Sequence, residues 1–198
     1  MSDGSTGARN PWALIREQPK FDCQYFTARA DIVSHAGGRP RPYNHFRMKS
    51  DGVYVVPIDH DGSTVLVGQH RFVLNRFTWE VPAGGVPRGT PVLDVAKSEL
   101  SEEAGLTAEH WLQITGAATS PGMTDELSSG FVAWSLRNGE PHPDPEETLV
   151  VRRISFSSAV AMALSGEIAN LGSVALILGI ETRRVRGELP RNLLDLLA

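Results

Sequence analysis

The stretch WEVPAGGVPRGTPVLDVAKSELSEEAGL, residues 79–106, contains the pattern of an amphipathic helix, and the prediction of the fold starts from it. Thr90 followed by Pro91 indicates a helix start, because threonine caps free backbone donors and proline is tolerated at the first helical position. Gly105 is placed to end the helix. Between these residues the apolar positions recur at helical spacing, so we expect an amphipathic helix with one buried face.

Three glutamates, Glu99, Glu102 and Glu103, crowd the last turns of this helix. At about 100° per residue, Glu99 and Glu103 lie in the apolar stripe and Glu102 lies at its edge. A solvated acidic cluster would instead share the polar face with Asp94 and Lys97. Inward carboxylates need a positive partner. Since Mg²⁺ prefers oxygen ligands and links carboxylates to substrate phosphates, the cluster predicts a Mg²⁺ site that acts on a phosphate ester.

The composition of the whole chain limits the classes of protein it can belong to. Its 198 residues, 41% hydrophobic and 21% charged, are typical of one main globular domain. A net charge of −4 without a basic block argues against a nucleic acid polymer as partner. No apolar run reaches the roughly 18 residues of a membrane span. The single cysteine, Cys23, forms no internal disulfide, so we expect a cytoplasmic protein without membrane contact.

The N-terminal part divides into a lead and a small sheet. Residues 1–11 are small, polar and turn-rich, and they predict a disordered lead. Segments 21–33 and 42–48 predict two strands joined by a Gly/Pro turn. We therefore assign residues 12–48 to an N-terminal antiparallel β extension and residues 49–198 to the main domain.

A turn signal lies between two apolar runs in the main domain. Asp61 and Gly62 separate residues 52–58 from residues 63–70, which predicts a hairpin of two central strands. Further strands are predicted at residues 130–136 and 148–156.

Helical patterns follow these strands towards the C-terminus. Ser157 or Ser158 can cap a helix that Gly166 ends, residues 173–185 continue at helical spacing, and Pro190 starts a short terminal helix. The chain is therefore predicted to be a mixed α/β domain with an N-terminal extension.

The glutamate-rich stretch resembles the signature of the Nudix hydrolases, which cleave nucleoside diphosphates linked to another moiety. The family pattern is a glycine, five residues, a glutamate, seven residues, then Arg-Glu-apolar-x-Glu-Glu-x-Gly-apolar. The residues that fit it are Gly84, Glu99, Leu100, Glu102, Glu103, Gly105 and Leu106. Thr90 stands where the family has its first glutamate, and Ser98 stands where it has arginine. In the family these two side chains support the metal ligands, so we expect weaker metal affinity or lower turnover than in a complete signature.

Three further segments resemble the branch of that family that hydrolyses ADP-ribose and nucleotide sugars. They are VGQHRF…FTWEVPAGG (67–85), TSPGMTDE (119–126) and GEIANLGSVALIL (166–178). The resemblance covers most of residues 12–182. It implies an α/β/α sandwich with a mixed β-sheet, preceded by an antiparallel β extension.

The resemblance also implies a metal centre. By analogy, the Ala83 carbonyl, Glu99 and Glu103 hold the metal, which is Mg²⁺ with Mn²⁺ as the alternative. Glu102 is expected either to be a further metal ligand or to contact one of the metal ligands, and to take part in catalysis.

Catalytic and substrate contacts follow from the same resemblance. Glu126 is expected to orient or deprotonate the attacking water, with Asp125 as the alternative. Arg71 is similar to an arginine that contacts the phosphates in the family. The alternative is that Arg71 is an ordinary surface arginine. Glu80 and Gly84 are assigned to the substrate-binding set, although Glu80 is equally well explained as an ordinary strand residue.

The expected function is Mg²⁺-dependent hydrolysis of a nucleoside diphosphate linked to a sugar, which gives a nucleoside monophosphate and a sugar phosphate. The branch implies a homodimer that pairs through residues 12–48. Two alternatives remain open. One is a degenerate Nudix module that senses a nucleotide without cleaving it, and the other is the same chemistry on another nucleotide derivative.

Overall fold

A computed structural model describes residues 9–142 and 148–198 of the chain. Residues 1–8 of the predicted disordered lead lie outside the described residues. Backbone contacts divide the chain into a first unit, Met1–Lys49 with Ser120–Glu126, and a second unit, Ser50–Thr119 with Leu127–Ala198. The assignment of residues 12–48 to an extension and 49–198 to a catalytic domain stays a prediction.

The first unit contains an antiparallel sheet centred on one long strand. Its strands are β1 (Trp12–Arg16), β2 (Pro19–Asp22), β3 (Phe26–His35) and β4 (Arg41–Met48). Strand β3 pairs with the other three strands. The antiparallel sheet and the turn between β3 and β4 agree with the sequence prediction.

One strand prediction in this unit was wrong. Residues 21–33 do not form a single strand, because the Cys23 amide donates to the Phe26 carbonyl at 3.0 Å and turns the chain. Strand β2 therefore ends at Asp22 and β3 begins at Phe26.

The second unit combines two sheets with helices. Its strands are β5 (Ser50–Ile58), β6 (Ser63–Arg71), β7 (Arg76–Glu80), β8 (Ala83–Pro87), β9 (Leu106–Ala118), β10 (Leu127–Asn138) and β11 (Val150–Ser155). Its helices are α1 (Val92–Ala104), α2 (Phe156–Ser165), α3 (Leu171–Arg186) and α4 (Arg191–Leu196). One sheet has the order β8-β5-β10-β9 and the other the order β11-β6-β7. Only the β5–β10 pair is parallel among the described strands of these sheets.

The predicted hairpin around Gly62 forms its turn but not its ladder. The Gly62 amide donates to the Asp59 carbonyl at 3.0 Å, and Gly62 adopts a positive φ of 73°. The strands on either side then enter different sheets, so the prediction of a paired hairpin was wrong. Both strands carry nearly continuous buried residues. Such strands are buried on both faces. Strand β5 pairs with β8 and β10, whereas β6 pairs with β11 and with β7, the next strand along the chain.

Side chains of β5 show how the layers of the second unit are built. Val53 and Val55 pack in the core under α1, whereas Val56 and Ile58 pack in the core that α2 and α3 cover. Successive side chains of a strand point to opposite faces, so helices lie on both sides of the mixed sheet. The predicted mixed α/β sandwich is confirmed.

The ends of α1 match the prediction at one terminus only. Gly105 ends the helix in the left-handed conformation with a φ of 63°, as predicted. At the other end Pro91 occupies the N-cap position, and no side chain caps the helix. The Thr90 amide instead closes a turn on the Pro87 carbonyl at 3.0 Å, so the prediction that Thr90 caps α1 was wrong.

Helix α2 begins earlier than its sequence pattern suggested. Ser155 is the N-cap, and its hydroxyl accepts a hydrogen bond from the Ser158 amide at 3.1 Å. Ser157 and Ser158 lie inside the first turn, so neither is the cap that was predicted. Gly166 ends the helix with a positive φ of 81°, and Pro190 precedes α4, both as expected. No helix within the described ranges has the length and apolarity to cross a bilayer.

Candidate active site

The close contact between Glu99 and Gly84 brings α1 onto strand β8. Glu99 is half-buried, and its carboxylate lies over the backbone of Gly84. A Cβ atom placed on residue 84 would lie 1.9 Å from Glu99 Oε1 and 2.1 Å from Cδ. Only glycine leaves room for the carboxylate at this position.

A second glutamate of α1 reaches the same strand. Glu103 is 4% exposed, and its Oε2 accepts a hydrogen bond from the Ala83 amide at 2.9 Å. Glu102 is exposed to solvent. The helical pattern predicted this distribution, with Glu99 and Glu103 facing inward and Glu102 at the edge. Two carboxylates of α1 are thus fixed against the first two residues of β8.

The site offers oxygen ligands but not a complete side-chain cage. Among the residues that the structure describes, no three His, Cys, Asp or Glu side chains converge in a metal-binding group. Mg²⁺ keeps several waters and is usually held by one or two carboxylates together with substrate phosphates. Glu99, Glu103 and the backbone at Ala83 fit that limited requirement, because the glycine at position 84 leaves space that a Cβ would fill.

Arg71 and Glu80 are also brought together, at the end of β6 and of β7. Glu80 is 3% exposed and receives two hydrogen bonds from Arg71, Nε to Oε1 at 2.8 Å and Nη2 to Oε2 at 2.7 Å. Burial raises the pKa of Glu80, but the bonds from Arg71 and Thr78 outweigh it, and the net pKa is lowered. The arginine fork is therefore engaged by a buried carboxylate.

Thr78 completes this arrangement and was missed in the sequence. Its hydroxyl donates to Glu80 Oε1 at 2.8 Å. The only sequence signal was the spacing of two residues on one strand, which places Thr78 and Glu80 on the same face. The expected contact of Arg71 with phosphate stays a prediction.

The segment 120–126 belongs to the first unit and carries both candidate bases. Asp125 is engaged on β4, since its Oδ1 accepts from the Met48 amide at 2.9 Å and its Oδ2 from Arg47 Nη1 at 3.2 Å. Glu126 is half-buried, and its carboxylate has no hydrogen-bond or ion-pair partner within residues 9–142 and 148–198. This difference favours Glu126 over Asp125 as the group that meets water.

Comparison with known proteins identifies the signature. The family profile described as NUDIX domain matches residues 48–171, more than half of the chain. The chain belongs to the Nudix family. This Nudix protein is a pyrophosphohydrolase, as its curated relatives also indicate. Nudix hydrolases generally use divalent metal ions.

Two relatives share most of their length with this Nudix chain. An ADP-ribose pyrophosphatase of Mycobacterium tuberculosis is 32% identical over 192 residues, which cover 94% of this chain and 91% of that protein. An ADP-ribose pyrophosphatase of Bacillus subtilis is 32% identical over 143 residues, or 71% and 70% of the two chains.

A third relative and a solved structure extend the comparison. A methanol dehydrogenase activator of Bacillus methanolicus is 32% identical over 114 residues, 58% of this chain and 54% of that protein. A crystal structure described as an ADP compounds hydrolase superposes with a TM-score of 0.80 at 17% identity, covering 92% of this chain and 99% of that one. The superposition shows a common fold.

The two departures from the Nudix signature lie at the surface. Thr90 is exposed in the turn before α1, and Ser98 is exposed on the solvent side of the helix. Neither side chain contributes to the contacts of Glu99 with Gly84 or of Glu103 with Ala83. The expected weakening of metal affinity or turnover stays a prediction.

Proposed function

We propose that this Nudix protein hydrolyses the diphosphate bond of a nucleoside diphosphate linked to a sugar, with ADP-ribose as the first candidate and nucleotide sugars as the next. Its products would be a nucleoside monophosphate and a sugar phosphate. The observation that carries the proposal is the placement of Glu99 and Glu103 against Gly84 and Ala83. The names of the two long relatives support the choice of ADP-ribose.

We propose Mg²⁺ as the cofactor, with Mn²⁺ as the alternative. Glu99, Glu103 and the Ala83 carbonyl would hold the ion. The exposed Glu102 would be a further ligand or would contact one of these ligands. When bound, such an ion withdraws charge from phosphate oxygens and makes water more acidic. The chain contributes rigidity, because both carboxylates rest on the backbone of one strand and need little rearrangement to bind.

Glu126 is the proposed acceptor of the proton from the attacking water. The water oxygen forms a bond to phosphorus while the bond from phosphorus to the bridging oxygen breaks, and the leaving phosphate takes that electron pair. The proton moves to a Glu126 carboxylate oxygen and then to solvent. A carboxylate without a partner among the described residues can accept a hydrogen bond from water, which general base catalysis requires.

We also propose a cytoplasmic homodimer that pairs through residues 12–48. The support is apolar surface on the first unit. The exposed large apolar side chains of residues 12–48 are Trp12, Leu14, Ile15, Phe21 and Tyr25. Exposed apolar surface often marks interfaces between protein chains.

A substrate panel tests the proposed activity. Phosphate release after a coupled phosphatase is measured with ADP-ribose, nucleotide sugars, dinucleoside polyphosphates and nucleoside triphosphates, each with Mg²⁺. We expect the highest kcat/KM with a sugar-linked diphosphate. Turnover of other compounds alone would assign the same chemistry to another nucleotide derivative.

The second candidate function is nucleotide sensing without cleavage. Thr90 and Ser98, in place of the signature glutamate and arginine, favour it. Binding of ADP-ribose or a nucleotide sugar by calorimetry, with no turnover of any panel member, would support sensing and overturn the proposed hydrolysis.

A further inference from the structure

The segment that carries Glu126 is bound along the edge strand of the first unit. The Phe46 amide of β4 donates to the Met123 carbonyl at 2.8 Å, and Phe46 forms a parallel bridge with Thr124. The Tyr43 hydroxyl donates to the Gly122 carbonyl at 3.0 Å. Residues 122–124 therefore extend the N-terminal sheet rather than forming an isolated loop.

Asp125 makes the last contacts in this series, directly before Glu126. Its two oxygens accept from the Met48 amide at 2.9 Å and from Arg47 at 3.2 Å. One oxygen thus fixes the segment to the backbone of β4 and the other to a side chain. A carboxylate that accepts from a backbone amide and an arginine makes charge-assisted bonds, which are about twice as strong as neutral ones.

We propose that Asp125 is a positioning residue, which holds Glu126 in the orientation needed to activate water. The inference rests on the proposed role of Glu126 as the base. Asp125 and Glu126 are consecutive residues, and their Cα atoms are only about 3.8 Å apart. If Asp125 is released from β4, the backbone of Glu126 is therefore free to shift as well. A misplacement of about 1 Å at a catalytic group can cost about 100-fold in rate.

The same geometry assigns Tyr43 and Arg47 a supporting role. Both lie on β4 and both contact the segment through side-chain atoms, Tyr43 at Gly122 and Arg47 at Asp125. The N-terminal sheet therefore influences the catalytic rate, because it positions Glu126, which belongs to the same unit.

The Asp125→Asn and Asp125→Ala variants separate positioning from proton transfer. Asparagine keeps an acceptor oxygen for the Met48 amide but cannot act as a base, whereas alanine removes both properties. We measure kcat, KM and the pH dependence of kcat with ADP-ribose and Mg²⁺, and compare them with Glu126→Gln. Melting temperatures check that each variant is folded.

The expected result is a graded series. Glu126→Gln lowers kcat about 100-fold or more and removes the acid limb of the pH profile. Asp125→Ala lowers kcat about 10- to 100-fold with KM within about 3-fold, and it keeps the acid limb. Asp125→Asn stays within about 5-fold of the wild type. Tyr43→Phe, which loses only one hydroxyl, lowers kcat a few-fold even if Asp125→Ala fails to fold.

The matched control is Asp22→Asn, which removes a carboxylate of the exposed ion pair with Lys49 in the same unit. It should leave kcat unchanged. Loss of the acid limb in Asp125→Asn would make Asp125 the base and overturn the inference. Wild-type kcat in Asp125→Ala together with a slow Glu126→Gln would overturn only the positioning role. Wild-type kcat in Glu126→Gln would overturn the proposed base and the inference with it.

Discussion

The carboxylate of Glu99 and the Cα of Gly84 are in direct contact, although they belong to a helix and a strand that are separated by the turn before α1. A methyl group on residue 84 would lie 1.9 Å from Glu99 Oε1. The residue at position 84 therefore controls where the Glu99 carboxylate lies, and two positions of the Nudix signature act as one unit.

We expect Gly84→Ala to displace Glu99 and to lower kcat about 100-fold, because catalytic groups tolerate little misplacement. Overpacking should also lower the free energy of unfolding by about 1–3 kcal/mol. Gly85→Ala on the same strand is the matched control, since its Cβ would meet only the Ser50 side chain, at 3.3 Å. Steady-state kinetics of both variants check this expectation, and equal activities would contradict it.

The ion pair of Arg71 with buried Glu80 predicts a pH-dependent loss of stability. We expect Arg71→Ala to lower the free energy of unfolding by about 1–3 kcal/mol at pH 7, because it leaves a buried carboxylate without its cation. Without Arg71, burial should raise the folded-state pKa of Glu80 above its unfolded value. Protonation then favours folding, so the deficit should shrink as the pH falls from 7 to 5.

Urea denaturation at the two pH values measures this change. In the wild type the pKa of Glu80 is lowered, so its contribution persists above the unfolded pKa and is lost only as the pH falls through the folded pKa. The control is Arg191→Ala, which breaks an exposed pair with Asp195 and should change little. A deficit in Arg71→Ala that is the same at pH 7 and pH 5 would count against the buried-charge explanation.

The two residues that depart from the Nudix signature, Thr90 and Ser98, can be tested by substitution. Restoring glutamate at position 90 and arginine at position 98 together should raise Mg²⁺ affinity or kcat several-fold, because both groups support metal ligands in the family. Both positions are exposed, so the double variant should keep its melting temperature. Rates as a function of Mg²⁺ concentration provide the test, and unchanged affinity and rate would refute it.

The proposed dimer can be tested on the apolar surface of the first unit. We expect light scattering to give twice the chain mass of 21.5 kDa. Leu14→Glu should shift the protein towards the monomer, since Leu14 is 56% exposed on β1. Leu164→Glu on α2 is the control, with 71% exposure. A wild-type monomer would argue against pairing through residues 12–48.

Local patterns in the sequence predicted the elements that carry the glutamates. The helical period placed Glu99 and Glu103 inward, and Gly105 was correctly identified as the end of α1. Local patterns failed where partners are distant. The turn at Gly62 was predicted, but β5 and β6 do not pair with each other, because β5 pairs with β8 and β10 and β6 pairs with β7 and β11. Strand β9 was not predicted, because few of its residues are buried and its alternation is weak.

The contacts of Asp125 could not be predicted for the same reason, because its partners are distant in the sequence. Its partner Met48 lies 77 residues away in the sequence, and Tyr43 lies 79 residues from Gly122. Asp125 could therefore be considered only as an alternative base, since nothing in its local sequence indicates the contact with β4. Thr90 failed as a cap for a different reason, because Pro91 itself takes the N-cap position.

The most direct test of the account is the rate of ADP-ribose hydrolysis against Mg²⁺ concentration, for the wild type and Glu99→Gln. We expect no hydrolysis by the wild type in chelator, a saturable increase with Mg²⁺, and a kcat at least about 100-fold lower in Glu99→Gln. The products should be AMP and ribose 5-phosphate. Hydrolysis that needs no metal, or equal rates for the two proteins, would contradict a metal-dependent site built on Glu99 and Gly84.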